Sequence, residues 1–167
     1  MKVGVHKIAM ASPDDVSGLE KLIDAGELRP EEIVAIIGKT EGNGGANDFT
    51  RGYATLAFRL MLANRLGVSF EEVVPRIAFV WSGGTEGVLS PHATVFTRTE
   101  QTRDMGEPRL VLGIAETRAL VPEEVGTLTH VRLVAEAVSK AQRQAGIVRS
   151  ADVHYVQVKG PLLTSAA

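Results

Sequence analysis

Val80-Trp81-Ser82-Gly83-Gly84-Thr85-Glu86-Gly87-Val88-Leu89-Ser90-Pro91-His92 is the stretch whose reading decides this chain. An apolar run, Ile77 to Trp81, breaks at once into Ser-Gly-Gly. Such a run reads as a buried strand. Adjacent glycines after a strand let the backbone turn sharply and approach a ligand. Ser82 then stands where a fixed scaffold hands over to a ligand-facing loop. The alternative reading is a tight turn with a capping serine, a common use of Ser and Gly.

Working outward, the elements alternate between strand and helix. Val3 to Met10 reads as a strand, with Val3, Val5 and Ile8 toward a core. Ser12-Pro13-Asp14-Asp15 reads as a helix start with a capping serine and proline at the first helical position. Val16, Leu19, Leu22 and Ile23 follow at helical spacing, and Gly26 ends that helix. Ile33-Val34-Ala35-Ile36-Ile37 is a near-continuous apolar strand, as in a strand buried on both faces. It runs into Gly38-Lys39-Thr40-Glu41-Gly42-Asn43-Gly44-Gly45. This is not a phosphate loop, because Ile33 stands where that motif needs glycine and the lysine precedes the glycines. Asn47 to Leu66 reads as a second helix with Leu56, Leu60 and Ala63 on its core face, Ala57 and Met61 beside them, and Gly67 as its cap. Arg51 falls in its first turn, where the helix dipole disfavours a cation. An anionic or carbonyl-rich ligand explains it, and so does pairing with Asp48. His92 to Arg98 alternates as a further strand.

Thr99 to Pro108 is polar and aperiodic, which places a boundary between units 1–104 and 105–167. The pattern then restarts. A strand is expected over 109–115, a helix from Leu128 to about Ala145, and a strand over 152–158 that again ends in a lysine, Lys159. The fold class is α/β (α+β), with one complete unit and half of a second.

The totals bound function. The chain has 167 residues, is 44% hydrophobic and 23% charged, and carries a net charge of −2. That profile fits an ordinary globular protein with no global attraction for nucleic acid or anionic membrane. There are no cysteines, which removes disulfides, thiolate metal sites and a cysteine nucleophile, and suits the cytoplasm. No signal peptide or spanning segment is read. His6, His92, His130 and His154 show no metal-binding spacing. His92 reads as a loop hydrogen-bonder, and Glu86 as a carboxylate bonded to loop amides in preference to an acid/base group.

Lys39, Arg51 and Ser82 all fall at strand ends or a helix start, where side chains converge on clefts. A serine needs a base, and a lysine serves only when neutral, which burial or a nearby cation favours. The Gly83 and Gly84 amides offer hydrogen bonds to a developing oxyanion. Together they describe acyl transfer or amide hydrolysis without a metal.

Four segments carry a resemblance: Gly38 to Gly44, Asn47 to Gly52, Ser82 to Val88 with Pro91-His92, and Val156-Gln157-Val158-Lys159-Gly160-Pro161-Leu162-Leu163-Thr164. In this order they resemble the cyanuric acid hydrolase and barbiturase family of ring-opening cyclic amidases. The resemblance implies three similar units about a pseudo-threefold axis, each with a four-stranded sheet and two helices, forming a barrel-like core. It implies hydrolysis of a cyclic imide through a Ser-Lys dyad, cyanuric acid giving a carboxybiuret-type product, with barbituric acid as the alternative substrate. Lys39, Arg51, Ser82 and Gly83 match the first unit's ring-binding set. Lys159 matches the lysine paired with the family's nucleophilic serine, whose counterpart is absent here, so Ser82 remains a secondary candidate for that role. No cofactor is implied for catalysis, and a structural metal only in the third unit, which also has no counterpart. The chain corresponds to the N-terminal half of such an enzyme. The implied partners are remaining units, a companion chain or further copies in a homo-oligomer, with no nucleic acid and no membrane. A non-catalytic module for small-ligand binding or assembly is the alternative from another class.

Overall fold

The computed structural model describes residues 1–84, 90–100 and 110–161. The chain divides into two compact units, Met1–Met105 and Gly106–Ala167.

The first unit is built on four strands: β1 (Lys2–Ala9), β2 (Ile33–Lys39), β3 (Ala78–Ser82) and β4 (His92–Thr99). Their order in the sheet is β1-β4-β2-β3. β4 runs antiparallel to both of its neighbours, while β2 and β3 are parallel. The parallel pair needs a crossover. It is supplied by α2 (Thr50–Leu66), with the short α3 (Phe70–Val73) behind it. α1 (Ser17–Asp24) joins β1 to β2. Ser69 and Glu72 close a reciprocal capping box at α3, and Gly67 ends α2 at φ 64°, a conformation that costs glycine little.

One face of the sheet is covered. Ile8, Ile36, Phe79, Trp81, Ala93 and Val95 pack with Leu19 of α1 and with Ala54, Phe58 and Leu62 of α2. On β1 the buried residue is Ile8, with Met10 just beyond the strand, while Val5 is 50% exposed. Strand alternation sends Val3 and Val5 to the face opposite Ile8, so the expected inward trio does not hold. Two helix expectations are also corrected. Residues 12–16 form a turn, in which Ser12 Oγ donates to Asp14 at 2.6 Å and Asp15 accepts from Ala11 N–H at 2.8 Å and Ser17 N–H at 3.1 Å. Asp15 takes the orphan amide at the start of α1, so the helix begins after it and not at Ser12. On α2 the core face is Ala54, Phe58, Met61, Leu62 and Ala63; Ala63 is buried as expected, whereas Leu56 and Leu60 are 45% and 54% exposed. Both sets have helical spacing. The face carrying Phe58 removes the most apolar area from water, and Phe58 meets Trp81 at 5.2 Å between ring centroids.

The second unit contains α4 (Leu128–Gln144), as its apolar spacing predicts. The strands expected over 109–115 and 152–158 are not formed among the described residues. Sheet order in the first unit supplies the reason. β1 and β2, the strands on either side of the first helix, do not touch, because β4 lies between them and bonds to both. The second unit has the same succession of segments but, among its described residues, no strand to occupy that middle place. Extended segments without a ladder partner do not become strands, whatever their propensity. Arg109 and the 162–164 part of the last motif lie outside the described residues.

Candidate active site

The site is assembled where β2 and β3 end. Lys39 and Ser82 are register partners on these parallel strands, and Lys39 also lies opposite His92 of β4. Alternation places Lys39 and Ser82 on the sheet face opposite Trp81. Lys39 is only 3% exposed, whereas Ser82 is exposed. The Lys39 ammonium lies 3.6 Å from Glu41 Oε1. Glu41 has φ 54°, the left-handed region, which a residue with a side chain occupies at a cost of about 1–3 kcal/mol. The strain sits directly beside the buried lysine.

The loop 40–49 and the Ser82-Gly83-Gly84 turn are tied together. Thr40 N–H donates to Ser82 O at 2.9 Å. The Thr40 and Thr50 hydroxyls are 2.8 Å apart, and Thr50 Oγ1 donates to Asp48 Oδ1 at 2.5 Å. Asp48 also accepts from Thr50 N–H at 2.9 Å and from Gly44 N–H at 2.8 Å. Its side chain is 0% exposed. Arg51 extends from the first turn of α2 to donate to Gly45 O at 2.8 Å, and its Nε is 4.0 Å from Asp48 Oδ2. Gly44, at φ 70°, abuts Gly84, where a Cβ would come within 3.0 Å of the Gly84 Cα.

Lys39, Arg51, Ser82 and Gly83 are thus gathered around one loop of the first unit. Of the two readings of Arg51, the pairing with Asp48 has a structural counterpart, and its other contact is with the loop carbonyl of Gly45. Lys159 lies in the second unit, in an exposed stretch that forms neither helix nor strand. His92 Nδ1 is 2.6 Å from Ser90 O, the loop hydrogen bond expected of it. A carbonyl only accepts, so Nδ1 carries the proton and a neutral ring leaves Nε2 as the acceptor. Glu86 lies outside the described residues. No group of three or more His, Cys, Asp or Glu with metal-site geometry occurs among the described residues, and no helix there is long and apolar enough to cross a membrane.

Thr40 and Thr50 were not singled out by the sequence reading, and Asp48 was named only as a partner for Arg51. Asp48 and Thr50 stand at the start of α2, a pattern that reads as ordinary helix capping. The stronger signal was the glycines: a Cβ on Gly42 or on Gly83 would fall well inside 3.0 Å of the Asp48 carboxylate.

Asp48 titrates below the usual carboxylate range. The Thr50 hydroxyl is the main cause, followed by the Gly44 and Thr50 amides and the Arg51 charge, against the opposing effect of burial. A carboxylate depressed on folding contributes stability that is present above its unfolded pKa of about 3.9 and is lost as pH falls through the folded value. The loop therefore keeps its conformation from neutral pH to about pH 5 and loosens only in acid below about pH 4. Gly44 amide shifts followed by NMR titration check this, and a midpoint above pH 6 contradicts it.

The ring-opening amidohydrolase model matches residues 4–167 of the chain. A cyclic amide hydrolase from Azorhizobium caulinodans is 66% identical over 99% of the chain, which covers 46% of that relative. A cyanuric acid amidohydrolase from Enterobacter cloacae is 51% identical, again over 99% of this chain and 46% of the relative. A solved cyanuric acid hydrolase structure superposes with a TM-score of 0.93 at 51% identity, over 99% of this chain and 46% of that one. The chain thus spans about half the length of the curated relatives it matches. Its fold, and the motifs that build the loop around Lys39 and Ser82, place this chain in the family of ring-opening amidohydrolases.

Proposed function

We propose that this chain supplies the first ring-holding arm, and the lysine of the second, to a hydrolase that opens a cyclic imide. The single observation that carries the reading is the pairing of Lys39 with Ser82 at the ends of adjacent strands, in a chain of this family. Cyanuric acid is the substrate favoured by the name of the Enterobacter relative, with barbituric acid as the alternative. Lys39, Arg51, the Ser82 hydroxyl and the Gly83 amide all offer hydrogen-bond donors, the complement of ring carbonyls.

In the proposed reaction, a neutral Lys159 amine takes the hydroxyl proton of a serine supplied by a further unit. The serine oxygen bonds to a ring carbonyl carbon. The ring C–N bond breaks, and its nitrogen receives the proton. Water then hydrolyses the resulting ester and regenerates the serine, leaving a carboxybiuret-type product from cyanuric acid. No step requires a metal. The further unit comes from more of the same polypeptide, from a companion chain or from another copy of this one.

The test follows binding and turnover together. Purified chain of verified mass is titrated with cyanuric and barbituric acids, and product is followed by mass spectrometry. Binding without turnover is expected, with turnover appearing when polypeptide homologous to the remainder of the relatives is co-expressed. Failure to bind either ring overturns the arm assignment. Turnover by the isolated chain would transfer the nucleophile's role to Ser82 in a self-assembled species, and loss of that activity in Ser82→Ala identifies it. Binding with no turnover even when co-expressed favours the non-catalytic module.

A further inference from the structure

We propose that Asp48 is the positioning residue of this arm, its buried carboxylate fixing Gly44, Gly83 and Arg51 relative to Ser82. The inference rests on the ring-holding role proposed above for Arg51, Ser82 and Gly83, and it concerns a residue to which that role assigns nothing.

The two carboxylate oxygens have separate duties. Oδ1 accepts the Thr50 amide at 2.9 Å and the Thr50 hydroxyl at 2.5 Å, so it belongs to the start of α2. Oδ2 accepts the Gly44 amide at 2.8 Å and stands 4.0 Å from Arg51 Nε, so it belongs to the glycine loop and the guanidinium. Gly83 rests directly against the same carboxylate: a Cβ there would lie 2.8 Å from Asp48 Cγ and nearer still to Oδ2. Gly42 is held off in the same way. One buried group thereby sets the height of two loops and the direction of one arginine.

Proton bookkeeping extends its reach to Ser82. Thr50 gives its single hydroxyl proton to Asp48, so in the 2.8 Å contact with Thr40 it must accept. Thr40 in turn holds Ser82 O through its amide at 2.9 Å. The carboxylate thus fixes Thr50, Thr50 orients Thr40, and Thr40 anchors the carbonyl of the residue that bears the candidate hydroxyl. Only an ionised carboxylate accepts from all these donors without bringing a proton of its own.

Asp48→Asn separates the two duties. The amide oxygen can replace Oδ1 toward Thr50 and preserve the helix start. Its NH2 group then faces the Gly44 N–H, donor against donor, and offers Arg51 no charge. The experiment compares wild type with Asp48→Asn and Asp48→Glu. Each is assessed by 1H–15N spectra of the Gly44, Gly83 and Thr50 amides and the Arg51 side chain, by amide exchange, and by titration with cyanuric and barbituric acids. Asp48→Asn is expected to raise Gly44 exchange at least about tenfold and shift Gly83 and Arg51, with Thr50 little changed. Ring affinity is expected to fall about tenfold or more with it. Asp48→Glu is not expected to rescue, because there is no room for a longer side chain beneath Gly83.

Unchanged Gly44, Gly83 and Arg51 signals in a folded Asp48→Asn overturn the proposal, as does full rescue by glutamate. Should Asp48→Asn fail to fold, the Asp48→Glu spectra decide the same question. A wild-type chain that binds neither ring overturns the ligand reading alone, since the Gly44, Gly83 and Arg51 signals still show whether Asp48 sets their positions.

Discussion

Phe58→Ala is expected to lower the unfolding free energy of the first unit by about 3–5 kcal/mol, as for other buried aromatic truncations. Phe58 is fully buried at the middle of α2, and its ring meets Trp81 at 5.2 Å with a 54° tilt between the planes. Removal of the ring takes away its transfer free energy and leaves a cavity. That cavity is bounded by a helix joined at both ends to the sheet and by a strand held in register on β2, so collapse is restricted. Trp81 also immediately precedes Ser82, so loosening its indole frees the end of β3 that carries the site. Urea unfolding followed by Trp81 fluorescence measures the change. Leu60→Ala, at a position 54% exposed, serves as the comparison and is expected to stay within about 0.5 kcal/mol of wild type. Equal losses at the two positions contradict the assignment of the core face.

Gly83→Ala is expected to be the most damaging single-methyl change to the site, lowering ring affinity about tenfold or more as its donors lose their positions. The new Cβ would meet three atoms of the Asp48 carboxylate. Retreat of the carboxylate would break its bonds to the Gly44 amide and to the Thr50 amide and hydroxyl. Either the Ser82-Gly83 turn lifts away or the Asp48 bonds break, and both outcomes move the donors. The overpacking itself costs about 1–3 kcal/mol of stability. Titration calorimetry with the two cyclic imides reads the affinity, and urea melts read the stability. Gly52→Ala is the control: its Cβ meets nothing within 4 Å on an exposed helical turn. It is expected to stabilise by about 0.4–1 kcal/mol. An affinity for Gly83→Ala within threefold of wild type would show that the turn does not depend on the Asp48 contact.

The contrast between these residues explains what the sequence could and could not disclose. The Ile33 to Ile37 run, the Ile77 to Trp81 run and the Gly67 stop are local signals, and the corresponding elements are present. Lys39 and Ser82 were legible as strand-end residues, and the parallel register brings them side by side. The choice between Leu56-Leu60 and Phe58-Leu62 was not legible, because both have helical period. It is decided by volume on the opposing sheet. Asp15 displaced Ser12 at the first helix for a related reason: several residues there offer an oxygen, and geometry selects one. The reach of Asp48 was hidden because Gly83, unlike its near neighbours Gly44 and Thr50, belongs to a loop far away in sequence. The stretches of the second unit expected as strands mark the reverse failure. Their composition favours strands, but a strand is a relation between segments, and composition carries no information about the partner.

The position of β4 between β1 and β2 also sets the order in which the first unit can be built on the ribosome. Lys2 pairs with Thr99, so nearly the whole unit must be synthesised before its first strand finds a ladder. α2 and the parallel β2–β3 pair can form from segments already released. β1 must wait, with its amides bonded to water, until His92–Thr99 emerges. Closure by the last strand to appear makes these contacts distant in sequence, the kind of topology that folds slowly. β1 is thus the strand of the unit longest open to a wrong partner.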